Sequence, residues 1–102
     1  MPTERSSLPR RKARTVTFEG ERYRWVVSDG AAGVRLFVRR ADGTGTRLEV
    51  PLRFELEGFY WFPVLGSPGP VTPNIVLLLM ATARERGWTP TGNGGAFVFP
   101  TR

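Results

Sequence analysis

Between Thr72 and Gly87 the chain spells out a helix together with both of its ends. Thr72 is a good N-cap, Pro73 falls at the first helical position where its missing N–H costs nothing, and an apolar run over residues 75–83 follows. Arg84-Glu85-Arg86-Gly87-Trp88 stops it, Gly87 suiting a left-handed C-terminal cap and Trp88 the hydrophobic contact that accompanies one. No other stretch reads as a helix, so this segment must close whatever core the rest of the chain builds. Its middle, Ile75-Val76-Leu77-Leu78-Leu79-Met80-Ala81, is apolar all round, and a helix apolar on every side is buried on every side. A sheet covers one side. The other is covered either by the loop 59–70 or by a partner or second copy of the chain.

The remainder alternates with the period of a strand. Val16 and Phe18 alternate with Thr15, Thr17 and Glu19. After a turn at Gly20-Glu21, Tyr23, Trp25 and Val27 alternate with Arg22, Arg24 and Val26. A loop at Asp29-Gly30 leads to Val34, Leu36 and Val38, which alternate with Arg35, Phe37 and Arg39, and Asp42-Gly43 opens the next turn. A longer strand follows, with Leu48, Val50, Leu52, Phe54 and Leu56 on one face and Arg47, Glu49, Pro51, Arg53, Glu55 and Glu57 on the other. Pro51 predicts an edge position or a bulge there. The expected fold is α+β: a four-stranded antiparallel β-meander with one apolar face, one α-helix packed across that face, and a C-terminal strand over residues 97–99.

Thr72-Pro73, the helix, and Arg86-Gly87-Trp88-Thr89-Pro90, followed by a glycine and Phe97, resemble the C-terminal half of a group of small bacterial proteins. These read as Thr-Pro, a helix, Gly-Trp-x-Pro and a short last strand. The resemblance covers the last third of the chain, with a weaker echo in Arg22-Tyr23-Arg24-Trp25. No activity is known for that group, so the resemblance implies a fold and no chemistry. The helix departs from the group's pattern, whose outer face carries charges.

At 102 residues the chain suits one domain, residues 15–102, preceded by a basic tail over residues 1–14 that holds too little apolar surface to order itself. The net charge of +6 is concentrated in that tail: Arg5, Arg10, Arg11, Lys12 and Arg14 face Glu4 alone, while the domain holds ten arginines against eight acids. Without cysteine there is no disulfide and no thiolate chemistry, and without histidine the usual general base and zinc ligand are missing. No cofactor or small-molecule substrate is expected. The longest apolar run is far too short to span a bilayer, so a cytoplasmic protein with no membrane partner is expected.

Candidate chemistry is sparse. Glu55 and Glu57 form a carboxylate pair, but on a face expected to be wet and beside Arg53, not in the buried setting that dividing acid and base roles between two carboxylates needs. Gly92-Asn93-Gly94-Gly95 follows a helix and precedes a strand, the reverse of a phosphate loop, and reads as a turn. Serines lack a histidine to activate them, and a non-enzymatic protein is expected. Two binding readings stand. The first is a protein-interaction module that self-associates as a homodimer through the apolar helix (Val76, Leu77, Met80) or the aromatic segment (Phe59, Trp61). The second is single-stranded nucleic-acid binding by Arg10, Arg11, Lys12 and Arg14 with a sheet face carrying Arg24, Arg35, Phe37 and Arg39. If strand parity persists past Gly58, Phe59 and Trp61 join that outer face. If Gly58 breaks it, they roof the helix as ordinary core, the outcome favoured by the area an aromatic ring buries.

Overall fold

The computed structural model describes residues 13–30, 33–65 and 67–100. Arg10, Arg11 and Lys12, and with them most of the basic tail, lie outside the described residues; Arg14 is already in the first strand. The strands are β1 (Arg14–Phe18), β2 (Glu21–Gly30), β3 (Gly33–Arg40), β4 (Arg47–Leu56) and β5 (Phe59–Trp61), followed by helix α1 (Pro73–Glu85) and β6 (Ala96–Val98). The architecture is α+β, with β1 to β5 an antiparallel meander. The meander has five strands where the alternation predicts four, because Phe59–Trp61 folds back on the end of β4 across a turn at Glu57-Gly58.

The first hairpin turns at Glu19-Gly20, one residue earlier than the sequence suggests, with both residues at positive φ (53° and 80°). That is the type I′ geometry whose twist matches antiparallel strands, with glutamate at a position usually held by Asn or Asp. Glu19 accepts a hydrogen bond from the Arg84 guanidinium, so the strained turn is also where the hairpin is tied to the end of α1.

The outer edge of β4 is shared. Its first part pairs in parallel with β6 (Leu48 opposite Phe97), and its last part pairs antiparallel with β5 (Phe54 opposite Tyr60). Glu49 turns its carbonyl to this edge, where it accepts from the Phe99 N–H at 2.8 Å. Residues two apart in a strand point the same way, so Pro51 presents its missing N–H to the gap between β6 and β5. The proline is thus at a local edge inside a long strand, as its ring requires. The loop after β5 returns along that strand: Tyr60 and Gly69 exchange N–H to carbonyl bonds of 2.9 and 3.0 Å.

Val16, Tyr23, Trp25, Leu36, Val38, Leu48, Val50 and Leu52 form the buried sheet face, and Val76, Leu79, Met80 and Ala83 of α1 pack on it. Burying each large aliphatic side chain contributes about 1.5–3 kcal/mol. The helix ends are built as the sequence implies. The Thr72 hydroxyl accepts from the Ile75 N–H; at the other end Trp88 N–H donates to Ala83 carbonyl (2.9 Å) and Gly87 N–H to Arg84 carbonyl (3.3 Å), a Schellman cap with Gly87 at φ 115°. Trp88 is buried, and its indole N–H donates to the Thr46 carbonyl at 2.9 Å, locking the helix end to the loop between β3 and β4. No helix among the described residues is long and apolar enough to cross a membrane.

The helix is not buried on every side. Leu78 is 42% exposed, while Ile75 and Leu77 sit at the margin of the core with Val64, Leu65 and Val71 of the preceding loop. The meander itself is coiled. Arg14 of β1 and Tyr60 of β5 line one groove of ≈ 480 Å³, although flat strands spaced about 4.8 Å apart would leave them about 19 Å from each other.

Candidate nucleic-acid interface

The face of the sheet turned away from α1 carries the side chains that alternate with the core row. Register places Arg24 opposite Arg39, Val26 opposite Phe37 and Ser28 opposite Arg35 across β2 and β3, then Phe37 opposite Glu49 across β3 and β4. Arg24, Val26, Ser28, Phe37 and Arg39, with Arg47, Trp25 and Ala13, line a shallow depression of ≈ 600 Å³ whose rim carries Arg24, Arg39 and Arg47. Arg24, Arg35, Phe37 and Arg39 of the sequence reading therefore share one surface. Arg14 does not belong to it. It stands across from Trp25 on the core side of the sheet, its guanidinium 5.8 Å from the Trp25 ring, because β1 begins at Arg14, one residue before the expected start of the domain.

The arginines of this face divide into two kinds. Glu49 holds two of them: Arg35 donates to its Oε1 at 2.9 Å, and Arg47 donates to its Oε2 from Nε (3.1 Å) and the terminal nitrogen (2.6 Å). These bonds, those of Arg47 first, hold the Glu49 carboxyl below the usual carboxylate range against the opposing effect of its burial. Arg47 also lies 5.7 Å from the Phe37 ring. Arg24 and Arg39 make no ion pair among the described residues and are exposed.

Past Gly58 strand parity holds for Tyr60 and Trp61, while a register shift between Phe54 and Leu56 sets Phe59 opposite Leu56. Trp61 sits opposite Arg53, which lies 5.3 Å over its ring, and the Trp61 indole donates to Glu55, so this aromatic is on the outer face and half-buried there. The expectation that Gly58 would turn these rings into a roof for the helix is corrected. Phe59 is 42% exposed, Tyr60 packs edge-on against Phe54 at 6.3 Å, and only Phe62, just past the strand, enters the core. Sequence reasoning missed the consequence of β4 outrunning β3. The ladder with β3 stops at Leu52, leaving Phe54 and Leu56 of the supposed core row 59% and 55% exposed. The length mismatch, ten residues against eight, was the available signal.

For the proposed helix interface the structure makes a second correction: Val76 and Met80 are fully buried against the sheet and Leu77 is half-buried, so the helix offers a partner mainly Leu78. The carboxylates Glu55 and Glu57 are both exposed, Glu55 engaged by Trp61, and among the described residues no group of acids assembles into a metal site. Residues 92–95 are a bend that packs on the loop between β3 and β4, with Thr46 donating to the Gly94 carbonyl.

A cleft of ≈ 480 Å³ at the opposite end, near the first turn, gathers Glu19, Glu21, Tyr23, Arg40, Arg84 and Trp88. Its charges pair with one another, Arg40 with Glu21 at 3.0 Å and Arg84 with Glu19, although the Arg40 Nε–H is buried without an acceptor among the described residues. Burial pushes the Tyr23 hydroxyl above its ordinary pKa. The cleft is a clasp joining hairpin to helix and leaves little charge for a ligand. No protein-family model matches the chain, and neither a curated protein nor a solved structure is found to be similar to it.

Proposed function

We propose that the protein binds single-stranded nucleic acid on the outer face of its sheet. The observation that carries this reading is the exposed Arg24–Arg39 pair, two like charges directly across a ladder beside Val26 and Phe37. Like charges set opposite each other destabilise a sheet, and phosphates between them reverse the sign of that interaction. Phe37 and, further along, Trp61 bring aromatic rings to this face, each with a guanidinium over it (Arg47 and Arg53) that a stacking base would displace toward the phosphates. The net +4 of residues 1–14 adds long-range attraction for a polyanion.

Fluorescence anisotropy of a labelled mixed-sequence single strand, titrated with the full chain at two salt concentrations, tests it. Binding that weakens steeply with salt and drops in Arg24→Gln and Arg39→Gln is the expected result. Binding with a flat salt response, or unchanged in both variants, overturns it.

A second reading is favoured by the β4–β5 hairpin, where Phe54, Leu56 and Phe59 are all exposed. A second copy of the chain docking there would cover them. Sedimentation of the wild type against Phe59→Glu checks this, a monomeric wild type at high concentration ruling it out.

A further inference from the structure

Across the outer face the side chains stand in rows set by register. One row runs from Thr15 through Arg24 to Arg39, and the next from Val26 through Phe37 to Glu49. We infer that the Arg24–Arg39 pair holds the terminal phosphate monoester of a nucleic-acid strand, so that the face takes a phosphorylated strand end in preference to the interior of a strand. The inference rests on the nucleic-acid reading of this face and names the part of the strand that it recognises.

Arg24 and Arg39 are exposed, both line the depression, and neither makes an ion pair among the described residues. They also stand close. The Ala41 N–H donates to the Arg22 carbonyl, and hydrogen-bonded pairs recur at every second residue of an antiparallel ladder, so Arg24 and Arg39 form such a pair with Cα atoms about 5.5 Å apart. The other arginines of the face are placed differently. Glu49 holds Arg35 and Arg47, Arg53 lies over Trp61, and Arg22 stands between Thr17 and Ala41 with no second guanidinium across from it.

Two guanidiniums rooted this close can close on one phosphate from either side. Each presents a planar fork that takes a pair of oxygens. A phosphodiester inside a strand has only two free oxygens and a single negative charge, enough for one fork. A terminal phosphate has three free oxygens and a charge of about −1.5 to −2 at pH 7, which serves both forks and nearly neutralises them. Thr15, exposed and opposite Arg24, adds a hydroxyl at the end of the same row. Val26 and Phe37 lie one row on, about 7 Å along the strands, where the sugar and base attached to that phosphate can reach them.

The test is fluorescence anisotropy with the full chain at about pH 8, where a phosphate monoester, with its second pKa of about 6, is doubly charged. A single strand with a terminal phosphate, at its 5′ end in one sample and at its 3′ end in another, is compared with an unphosphorylated strand two nucleotides longer, whose total charge is the same. One of the phosphorylated strands is expected to bind about tenfold more tightly than the charge-matched strand, and the preference is expected to vanish in Arg24→Gln and in Arg39→Gln. Arg53→Gln, at the Trp61 end of the face, is expected to weaken all strands alike and to keep the preference. Strands that bind with a steep salt response but without regard to the terminal phosphate overturn this inference alone, as does a preference that survives both arginine substitutions. Failure of every strand to bind overturns the reading of the face and this inference with it.

Discussion

Arg24 on β2 and Arg39 on β3 stand directly opposite each other on the solvent side of the sheet, with no acid paired to either among the described residues. An arrangement that a sheet would avoid for its own stability is where function and stability are expected to pull apart. Replacing Arg24 with Gln is expected to raise folding stability by roughly 0.2–1 kcal/mol, by relieving the repulsion. The same change is expected to lower the slope of log affinity against log salt by about 0.7, as loss of one phosphate contact on a single strand would. Chemical denaturation and the salt titration, run on the same variant, read the two effects separately. A loss of stability accompanied by unchanged binding would contradict the assignment.

Glu49 gives the outer face its acid sensitivity. Its carboxyl is depressed in the folded chain by hydrogen bonds from Arg47 and Arg35, so the folded state binds its proton less readily than the unfolded chain does. The sign follows: the stabilisation is fully present above the ordinary glutamate pKa of about 4.3, and it is lost as pH falls through the lower folded value. Stability measured by denaturant at neutral and at strongly acidic pH should show a difference that shrinks in Glu49→Gln. That variant should itself lose about 1 kcal/mol at neutral pH, because two arginines then lack their shared acceptor.

The legible parts of this fold were the ones settled by neighbours close in sequence. Thr72, Pro73, Gly87 and Trp88 define α1 through local hydrogen bonds, and both caps form as spelled. The alternation of β1 to β4 gave the core row for the same reason. What escaped depended on pairing at a distance. Nothing local to Phe54 says that β3 ends opposite Leu52, and nothing local to Ala96 says that β6 will run parallel to β4 rather than antiparallel. The outer-face cluster was legible as composition, arginines alternating with core residues, but the division between arginines spent on Glu49 and arginines left free needed the register.

Gly45 and Gly43 allow a strain and a clash to be separated. Both have positive φ, 86° and 81°, but a Cβ on Gly45 would lie 1.9 Å from the Pro90 carbonyl oxygen whereas one on Gly43 meets nothing within 4 Å. Gly43→Ala therefore carries only the backbone penalty, about 1–2 kcal/mol. Gly45→Ala must in addition push apart the two loops joined by the Thr46 N–H to Pro90 carbonyl bond, and is expected to cost clearly more. Thermal melts of the pair measure the difference. Equal costs would mean that the loops yield freely and that this contact does not hold the helix end in place.

Leu78 and Leu79 are adjacent on α1 and have opposite fates, the first 42% exposed and the second fully buried. Leu79→Ala removes a side chain from the centre of the core and should cost about 2–5 kcal/mol, by lost burial and by the cavity left between helix and sheet. Leu78→Glu should leave the fold intact, its cost within about 0.5 kcal/mol, since the new carboxylate projects into water. Denaturation of both variants tests the packing. Sedimentation of Leu78→Glu then asks whether the exposed side of the helix also meets a second copy: a wild-type dimer that persists in this variant assigns self-association to Phe54, Leu56 and Phe59, and one that dissociates assigns it to α1.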